Sequence, residues 1–168
     1  ILRGKGGGAQ RHQDVADIQG EMEEIQRLGL KGIKLHPDFQ RFQIDDPRML
    51  PVYEEATRRG LPVLFHTGDS RMDFSSPRRL MKVLEKISDF TCIAAHLGGY
   101  TEWDTARREL RGANVYIDTS SSLFLVEPEK ALESIERVVA KPMDISVTQA
   151  AMGIINVVNS NMVRAIRV

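Results

Sequence analysis

Short apolar runs that end in a polar residue recur along this chain of 168 residues. The runs GIKLH, PVLFH and CIAAH end at His36, His66 and His96, which lie 30 residues apart, and the run NVYID ends at Asp118. The segments between the runs carry apolar residues at helical spacing. Helices that alternate with short apolar strands are typical of a parallel sheet built from right-handed crossovers. The sequence therefore predicts an α/β fold with about four parallel strands.

Capping residues predict where the helices begin and end. A first helix is expected from about residue 14 to Gly29, where glycine is a common terminator. Asp46 and Ser76 are each followed by proline, the usual start of a helix, and they predict the second and third helices. Thr101 is the expected cap of a fourth helix, and a fifth is expected over about residues 128–139.

The chain divides into three parts by composition. Residues 1–13 are rich in glycine and polar residues and predict a flexible lead-in. Residues 14–140 hold the strand and helix units, enough for one globular domain. Residues 141–168 carry apolar residues at steps of three and four, which predicts a long amphipathic C-terminal helix.

The charge and cysteine content narrow the classes of function. Lys plus Arg and Asp plus Glu each number 23, so no basic surface for nucleic acid or for an anionic membrane is indicated. No apolar stretch approaches the roughly 18 to 20 residues of a membrane span. The single cysteine, Cys92, is compatible with a reducing compartment. We therefore expect a soluble cytoplasmic protein that acts on a small molecule.

The polar residues at the strand ends are the candidate site. Parallel strands bring their carboxyl ends to one edge of the sheet, so His36, His66, His96 and Asp118 are expected to meet there. Neutral imidazole is a favoured zinc ligand, and a catalytic zinc site needs about three protein ligands and an open position. A histidine that does not bind the ion, or Asp118, would be placed to move protons.

Side chains two residues apart on a strand share a face, which predicts what lies beneath the edge. Lys34 is expected one layer below His36, and Ala94 one layer below His96. Structural roles remain open for these residues: His36 as a strand end bonded to a loop, Asp118 as the cap of a turn, and Lys34 as an ion-paired or snorkelling lysine.

Four linked motifs, GLKGIKLHPDF, GLPVLFHTGD, IAAHLGGYTEWD and NVYIDTSS, resemble the amidohydrolase superfamily. The resemblance is to its branch of metal-dependent hydrolases and decarboxylases related to aminocarboxymuconate semialdehyde decarboxylase, and it covers about residues 14–138. It implies a TIM-type barrel with a divalent metal, zinc or manganese, at the carboxyl ends of the strands. It also implies that His66 binds the metal and that His96 polarises the substrate or relays protons.

The sequence departs from that family in two places. The family takes a His-x-His pair from its first strand and an aspartate from its eighth, and the sequence has neither. Asp118 matches the seventh strand, so the role of metal-binding aspartate is not transferred to it. Eight barrel units need roughly 200 or more residues, so a partial barrel is expected, whose open edges invite a homo-oligomer. The chain is alternatively a piece of a longer protein.

The C-terminal segment of about residues 144–168 resembles part of the large subunit of the hydantoinase and oxoprolinase family. That family opens cyclic amides, in the oxoprolinase case with ATP. A covering helix is the simpler interpretation of the segment, and a composite chain is the alternative.

The leading hypothesis is a metal-dependent hydrolase that acts on a small carbonyl, amide or ester substrate by metal-activated water. The predicted metal ligands are His66 and His36, the predicted catalytic groups are His96 and Asp118, and Lys34 is predicted to bind substrate. The alternatives are a decarboxylase of a small carboxylic acid and a catalytically incomplete module that acts through assembly.

Overall fold

The computed structural model of this chain describes residues 18–122 and 125–131. The predicted lead-in, the predicted C-terminal helix and the hydantoinase-like segment lie outside the described residues. None of the described helices is long and apolar enough to cross a membrane.

Helices and strands alternate along the described chain as the sequence predicts. The helices are α1 (Ile18–Arg27), α2 (Pro37–Gln40), α3 (Leu50–Arg58), α4 (Pro77–Lys86) and α5 (Trp103–Glu109). The strands are β1 (Ile33–Leu35), β2 (Val63–Phe65), β3 (Cys92–Ala94) and β4 (Tyr116–Ile117). The strands are two or three residues long, shorter than the five or six that the apolar runs suggest.

All strand pairs in the sheet are parallel, and the strand order β1-β2-β3-β4 follows the order of the chain. Every connection therefore steps to the next strand in the same direction. A doubly wound open sheet reverses its direction at a switch point, whereas a barrel does not. The four strands form part of a TIM-type barrel, as predicted.

Two helices begin later than their predicted caps. Helix α3 begins at Leu50 after Met49, because Asp46 instead closes a turn in which its carboxylate accepts the backbone N–H of Arg48 at 3.0 Å. Helix α5 follows Glu102, because Thr101 has a left-handed backbone with φ of 58°. Ser76 precedes α4 as predicted.

The main core lies between the sheet and its helices. The aromatic rings of Tyr53, Phe65 and Phe90 are fully buried there. On the opposite face of the sheet, Leu64, Ile93 and Ala95 form a second, smaller cluster with Tyr116 packed against it. This second cluster lies on the inner side of the partial barrel, beneath the carboxyl edge.

The register corrects one expectation about that inner face. Lys34 pairs with Leu64, Leu64 with Ile93, and Ile93 with Tyr116, so these four positions share a face. Ala94 belongs to the helix-facing core and does not lie beneath His96. Strand alternation continues through Ala95 and stops at His96, because His96 and the residue after it have left-handed backbones with φ of 62° and 56°.

Candidate active site

The carboxyl edge of the sheet brings the rings of His66 and His96 together. His66 follows β2, His96 follows β3, and their Nδ1 and Nε2 atoms lie 2.9 Å apart. The two rings meet edge to face, with centroids 4.8 Å apart. The convergence that the strand ends predicted is therefore present.

His36 stacks on a face of the His66 ring. Their ring centroids are 3.9 Å apart and the ring planes differ by 9°. Phe39, which is 78% exposed, stacks on the outer face of His36 at 3.9 Å. His36 also precedes α2, and its Nδ1 accepts the backbone N–H of Phe39 in a long contact of 3.4 Å. Because a neutral imidazole has one acceptor nitrogen, His36 would give up this long contact in order to bind a cation through Nδ1.

Asp38 completes this group and was not predicted from the sequence. Its carboxylate is buried, Ser75 Oγ donates to its Oδ2 at 2.5 Å, and the same Oδ2 lies 3.7 Å from His66 Nε2. The other oxygen, Oδ1, is buried without a hydrogen-bond partner among the described residues. The available signal was the position of Asp38 two residues after His36, in the short helix α2 that follows β1.

The donors of His36, Asp38 and His66 fit a divalent cation. One ligand atom from each residue lies within 4.8 Å of the other two. Donors around one zinc ion are about 3.4 Å apart, given metal–ligand distances near 2.1 Å, so the 3.7 Å between His66 and Asp38 needs little adjustment. A buried carboxylate is costly without a positively charged partner. Asp38 Oδ1 has no hydrogen-bond partner among the described residues, so its lone pairs are available to such a cation.

The loops after β2 and β3 are in direct backbone contact, which fixes the two histidines relative to each other. Gly68 has φ of 71°, and a Cβ at this position would lie 2.7 Å from Gly99 Cα. The backbone N–H of Tyr100 donates to the carbonyl of Thr67 at 2.7 Å. Only glycine at position 68 permits this approach.

Comparison with known proteins identifies the family to which this chain belongs. The Amidohydrolase family model matches residues 4–144. The chain belongs to the amidohydrolase family. No curated protein matches the sequence. An uncharacterized TIM-barrel protein from Bordetella bronchiseptica is similar in structure, with 25% identity and a TM-score of 0.48. The match covers 60% of this chain and 37% of that protein, so the chain spans well under half of the neighbour's length.

Asp118 contacts the backbone of His96 through its carboxylate. Its Oδ1 accepts the backbone N–H of His96 at 2.9 Å, and it also accepts the backbone N–H and the hydroxyl of Ser120. Its Oδ2 is buried without a hydrogen-bond partner among the described residues. The structure thus brings Asp118 to the same edge as the three histidines, as predicted, although outside the cluster formed by His36, Asp38 and His66.

Lys34 lies on β1 beneath the histidines. The residue is partly exposed, but its Nζ atom is buried and has no hydrogen-bond partner among the described residues. Burial lowers the pKa of Lys34 to about 8, against the opposing attraction of Asp118. Its charge in turn lowers the pKa values of His36, His66 and His96.

The imidazoles at this edge are neutral at pH 7. Burial is the main cause that lowers the pKa of His66 to about 2 and that of His36 to about 4, and mutual repulsion among the three rings adds to it. Burial likewise lowers the pKa of His96 and raises that of Asp38. Neutral imidazole is the form that binds a metal. The edge therefore presents uncharged nitrogen donors beside a buried carboxylate.

Proposed function

We propose that this amidohydrolase uses a divalent metal to hydrolyse a small carbonyl, amide or ester compound. The observation that carries the proposal is the cluster of His36, Asp38 and His66, whose ligand atoms lie within 4.8 Å of one another at the carboxyl edge of the sheet. Amidohydrolases typically use a divalent metal, and this edge is where barrel enzymes carry their active sites. Two imidazoles and a carboxylate suit zinc, with manganese as the second choice.

The side chains at this edge would each have a separate role around the cation. A bound divalent cation supplies Lewis-acid polarisation of a carbonyl and lowers the pKa of water. His36, His66 and Asp38 would hold it, and Ser75 would keep the Asp38 carboxylate in place through its hydrogen bond. His96 and Asp118 would complete the polar lining beside His66.

Lys34 is proposed to bind the substrate. A buried ammonium group without an acceptor is unfavourable, and an oxygen atom of the substrate would supply that acceptor. Lys34 lies on β1 two residues before His36, which supports a substrate oxygen bound near the proposed cation site. We expect Lys34→Met to raise KM about tenfold or more, because one hydrogen bond from a charged donor is lost.

Decarboxylation of a small carboxylic acid is the second candidate. Lys34 makes no ion pair in the described part of the chain, and a substrate carboxylate would be a suitable counter-ion. This chemistry would place the protein in the branch related to aminocarboxymuconate semialdehyde decarboxylase. A ring-opening activity of the hydantoinase type would instead require ATP-dependent turnover of a cyclic amide.

A module that acts through assembly is the third candidate. The sheet of the described residues has β1 and β4 at its edges, each paired on one side. Unpaired edges invite strand addition, so a homo-oligomer that shares these edges is the corresponding proposal for partners. The buried free thiol of Cys92 suits the reducing cytoplasm, where we propose that the protein acts.

Metal analysis tests the leading proposal. We expect purified protein to bind about one equivalent of Zn²⁺ or Mn²⁺ in calorimetry, and His66→Ala to lose at least about 100-fold in affinity. Asp89→Asn, on the exposed surface, should bind as the wild type does. Absence of stoichiometric metal in the folded wild type, or unchanged affinity in His66→Ala, would overturn the proposal.

A further inference from the structure

A chain of hydrogen bonds determines which nitrogen of His66 carries its proton. His96 Nδ1 lies 2.7 Å from the carbonyl oxygen of Ser120, and a carbonyl only accepts. The proton of His96 is therefore on Nδ1. The hydroxyl of Ser120, 3.2 Å from the same nitrogen, donates its own proton to Asp118 Oδ1 at 2.6 Å, so it too can only accept from His96.

The consequence passes from His96 to His66. A neutral imidazole has one N–H and one acceptor nitrogen, so Nε2 of His96 is an acceptor. His66 Nδ1, 2.9 Å away, must then donate to it. This leaves the lone pair of His66 on Nε2, the atom that lies 3.7 Å from Asp38 Oδ2. The nitrogen that faces the proposed cation site is thus the one that is free to bind it.

Asp118 fixes the far end of this chain. One oxygen, Oδ1, accepts the backbone N–H of His96 and that of Ser120, both at 2.9 Å, and the hydroxyl of Ser120. The indole N–H of Trp103 also donates to the His96 carbonyl at 3.1 Å. These contacts hold His96 at φ of 62°, a backbone conformation that a non-glycine residue keeps only when its surroundings impose it.

We propose that His96, held by Asp118 and Ser120, is a positioning residue that keeps the proton of His66 on Nδ1 and leaves Nε2, 3.7 Å from Asp38 Oδ2, free to bind a cation. Histidine ligands of metals usually donate their second N–H to a carboxylate or a carbonyl, and here an imidazole takes that place. The inference rests on the proposed function, and it gives His96 and Asp118 a role different from the proton transfer predicted from the sequence.

The first measurement reads the proton positions directly. Long-range proton–nitrogen NMR on ¹⁵N-labelled, metal-free protein at neutral pH distinguishes the two tautomers of each histidine. We expect His66 to carry its proton on Nδ1 in the wild type. In His96→Met, which has no comparable acceptor, we expect a population with the proton on Nε2. Wild-type protein with the His66 proton on Nε2 would overturn the inference.

A pair of substitutions separates positioning from a merely structural role. His96→Gln places an amide oxygen where it can accept from His66, whereas His96→Met cannot. We expect Zn²⁺ affinity to fall about 10-fold to 100-fold in His96→Met and to be largely restored in His96→Gln. Equal affinities in wild type, Gln and Met variants would refute the role of His96.

Asp118 provides a second pair, which keeps the test decisive if His96→Met does not fold. Asp118→Asn retains an oxygen that can accept from the backbone of His96 and Ser120, and Asp118→Ala does not. The His66 tautomer should be kept in the Asn variant and lost in the Ala variant. An unchanged tautomer in Asp118→Ala would contradict the proposed hold on His96.

The two readouts distinguish this inference from the proposed function. If the wild type carries the His66 proton on Nδ1 but binds no Zn²⁺, the metal-dependent function fails and the hydrogen-bond order stands. If Zn²⁺ binds stoichiometrically while the proton is on Nε2 of metal-free His66, the function stands and the positioning role fails.

Discussion

The helix-facing core and the carboxyl edge of the same sheet differ in whether their buried polar groups are hydrogen-bonded. In the core, Tyr53, Phe65 and Phe90 are fully buried with ring centroids 5.4 to 6.2 Å apart, and the hydroxyl of Tyr53 donates to the carbonyl of Ile44. At the edge, polar atoms of Lys34 and Asp38 are buried without hydrogen-bond partners in the described residues. The buried hydroxyl of the core thus has a hydrogen-bond partner, whereas these buried polar atoms of the edge have none among the described residues.

This difference indicates what each region contributes. Buried apolar contacts stabilise the fold, whereas unsatisfied polar atoms and left-handed backbone at non-glycine residues reduce its stability. Such costs are typical of sites that are arranged for a ligand. Substitutions in the core should therefore lower stability and leave metal affinity unchanged, and substitutions at the edge should change metal affinity and leave stability unchanged or raise it.

Phe90→Ala should produce the largest effect. Phe90 is fully buried, and truncation of a buried phenylalanine costs about 3–5 kcal/mol of unfolding free energy through lost burial and the resulting cavity. Urea denaturation measures the loss. Phe39→Ala is the matched control, because Phe39 is 78% exposed and should cost less than about 1 kcal/mol. Reduced Zn²⁺ affinity in folded Phe90→Ala would break the proposed separation of core and edge.

Asp38→Asn should show the reverse pattern. The amide keeps the size of the side chain and an oxygen for the Ser75 hydroxyl, but it removes the negative charge beside His66. We expect Zn²⁺ affinity to fall roughly tenfold to a hundredfold, or about 1.4–2.7 kcal/mol, with unfolding free energy unchanged or slightly raised. Calorimetry and urea denaturation on the same sample measure both, with Asp89→Asn as the exposed control. A stability loss without a loss of affinity would make Asp38 a structural residue.

The fold could be predicted from the sequence because its signals are local and repeated. The apolar runs recur at regular spacing, and helix-start signals such as Ser76-Pro77 lie between them. Both agree with the parallel sheet. The helix boundaries were less predictable, because a residue that can cap a helix can also form a turn. Asp46 closes a turn before α3, and Thr101 adopts a left-handed backbone before α5.

The candidate site was partly predictable for the same reason. Strand direction alone gathers His36, His66, His96 and Asp118 at one edge. Asp38 was not predicted because it lies in α2, a four-residue helix that is too short to show a periodic pattern of apolar residues. The expectation for Ala94 was wrong because the alternation of a strand does not continue into left-handed residues. The direction of each hydrogen bond, and so the tautomer of His66, depends on tertiary contacts that spacing does not encode.

Acidification from pH 6.5 to 5.5 should destabilise the metal-free protein through the histidines of the edge. The folded-state pKa values of His66 and His36 are lowered to about 2 and about 4 from an ordinary value of 6.5. Between pH 6.5 and these values the unfolded chain binds more protons than the folded one, so stability falls as the pH falls. From pH 6.5 to 5.5 the loss should be about 1 kcal/mol per histidine. Urea denaturation at both pH values measures it, and His66→Asn should reduce the slope.

Lys34→Met should raise stability, the opposite of the change expected for Phe90→Ala and for acidification. Methionine has nearly the same length and no charge, so the substitution removes a buried ammonium that lacks an acceptor among the described residues. The attraction of Asp118 is lost at the same time and offsets part of the gain, so we expect a rise of about 1 kcal/mol in unfolding free energy. Lys31→Met, at an exposed position on the same approach to β1, should change stability by less than about 0.5 kcal/mol. A marked loss of stability in Lys34→Met would mean that the amine has a structural partner, and Lys34 would then belong with the satisfied core and not with the edge.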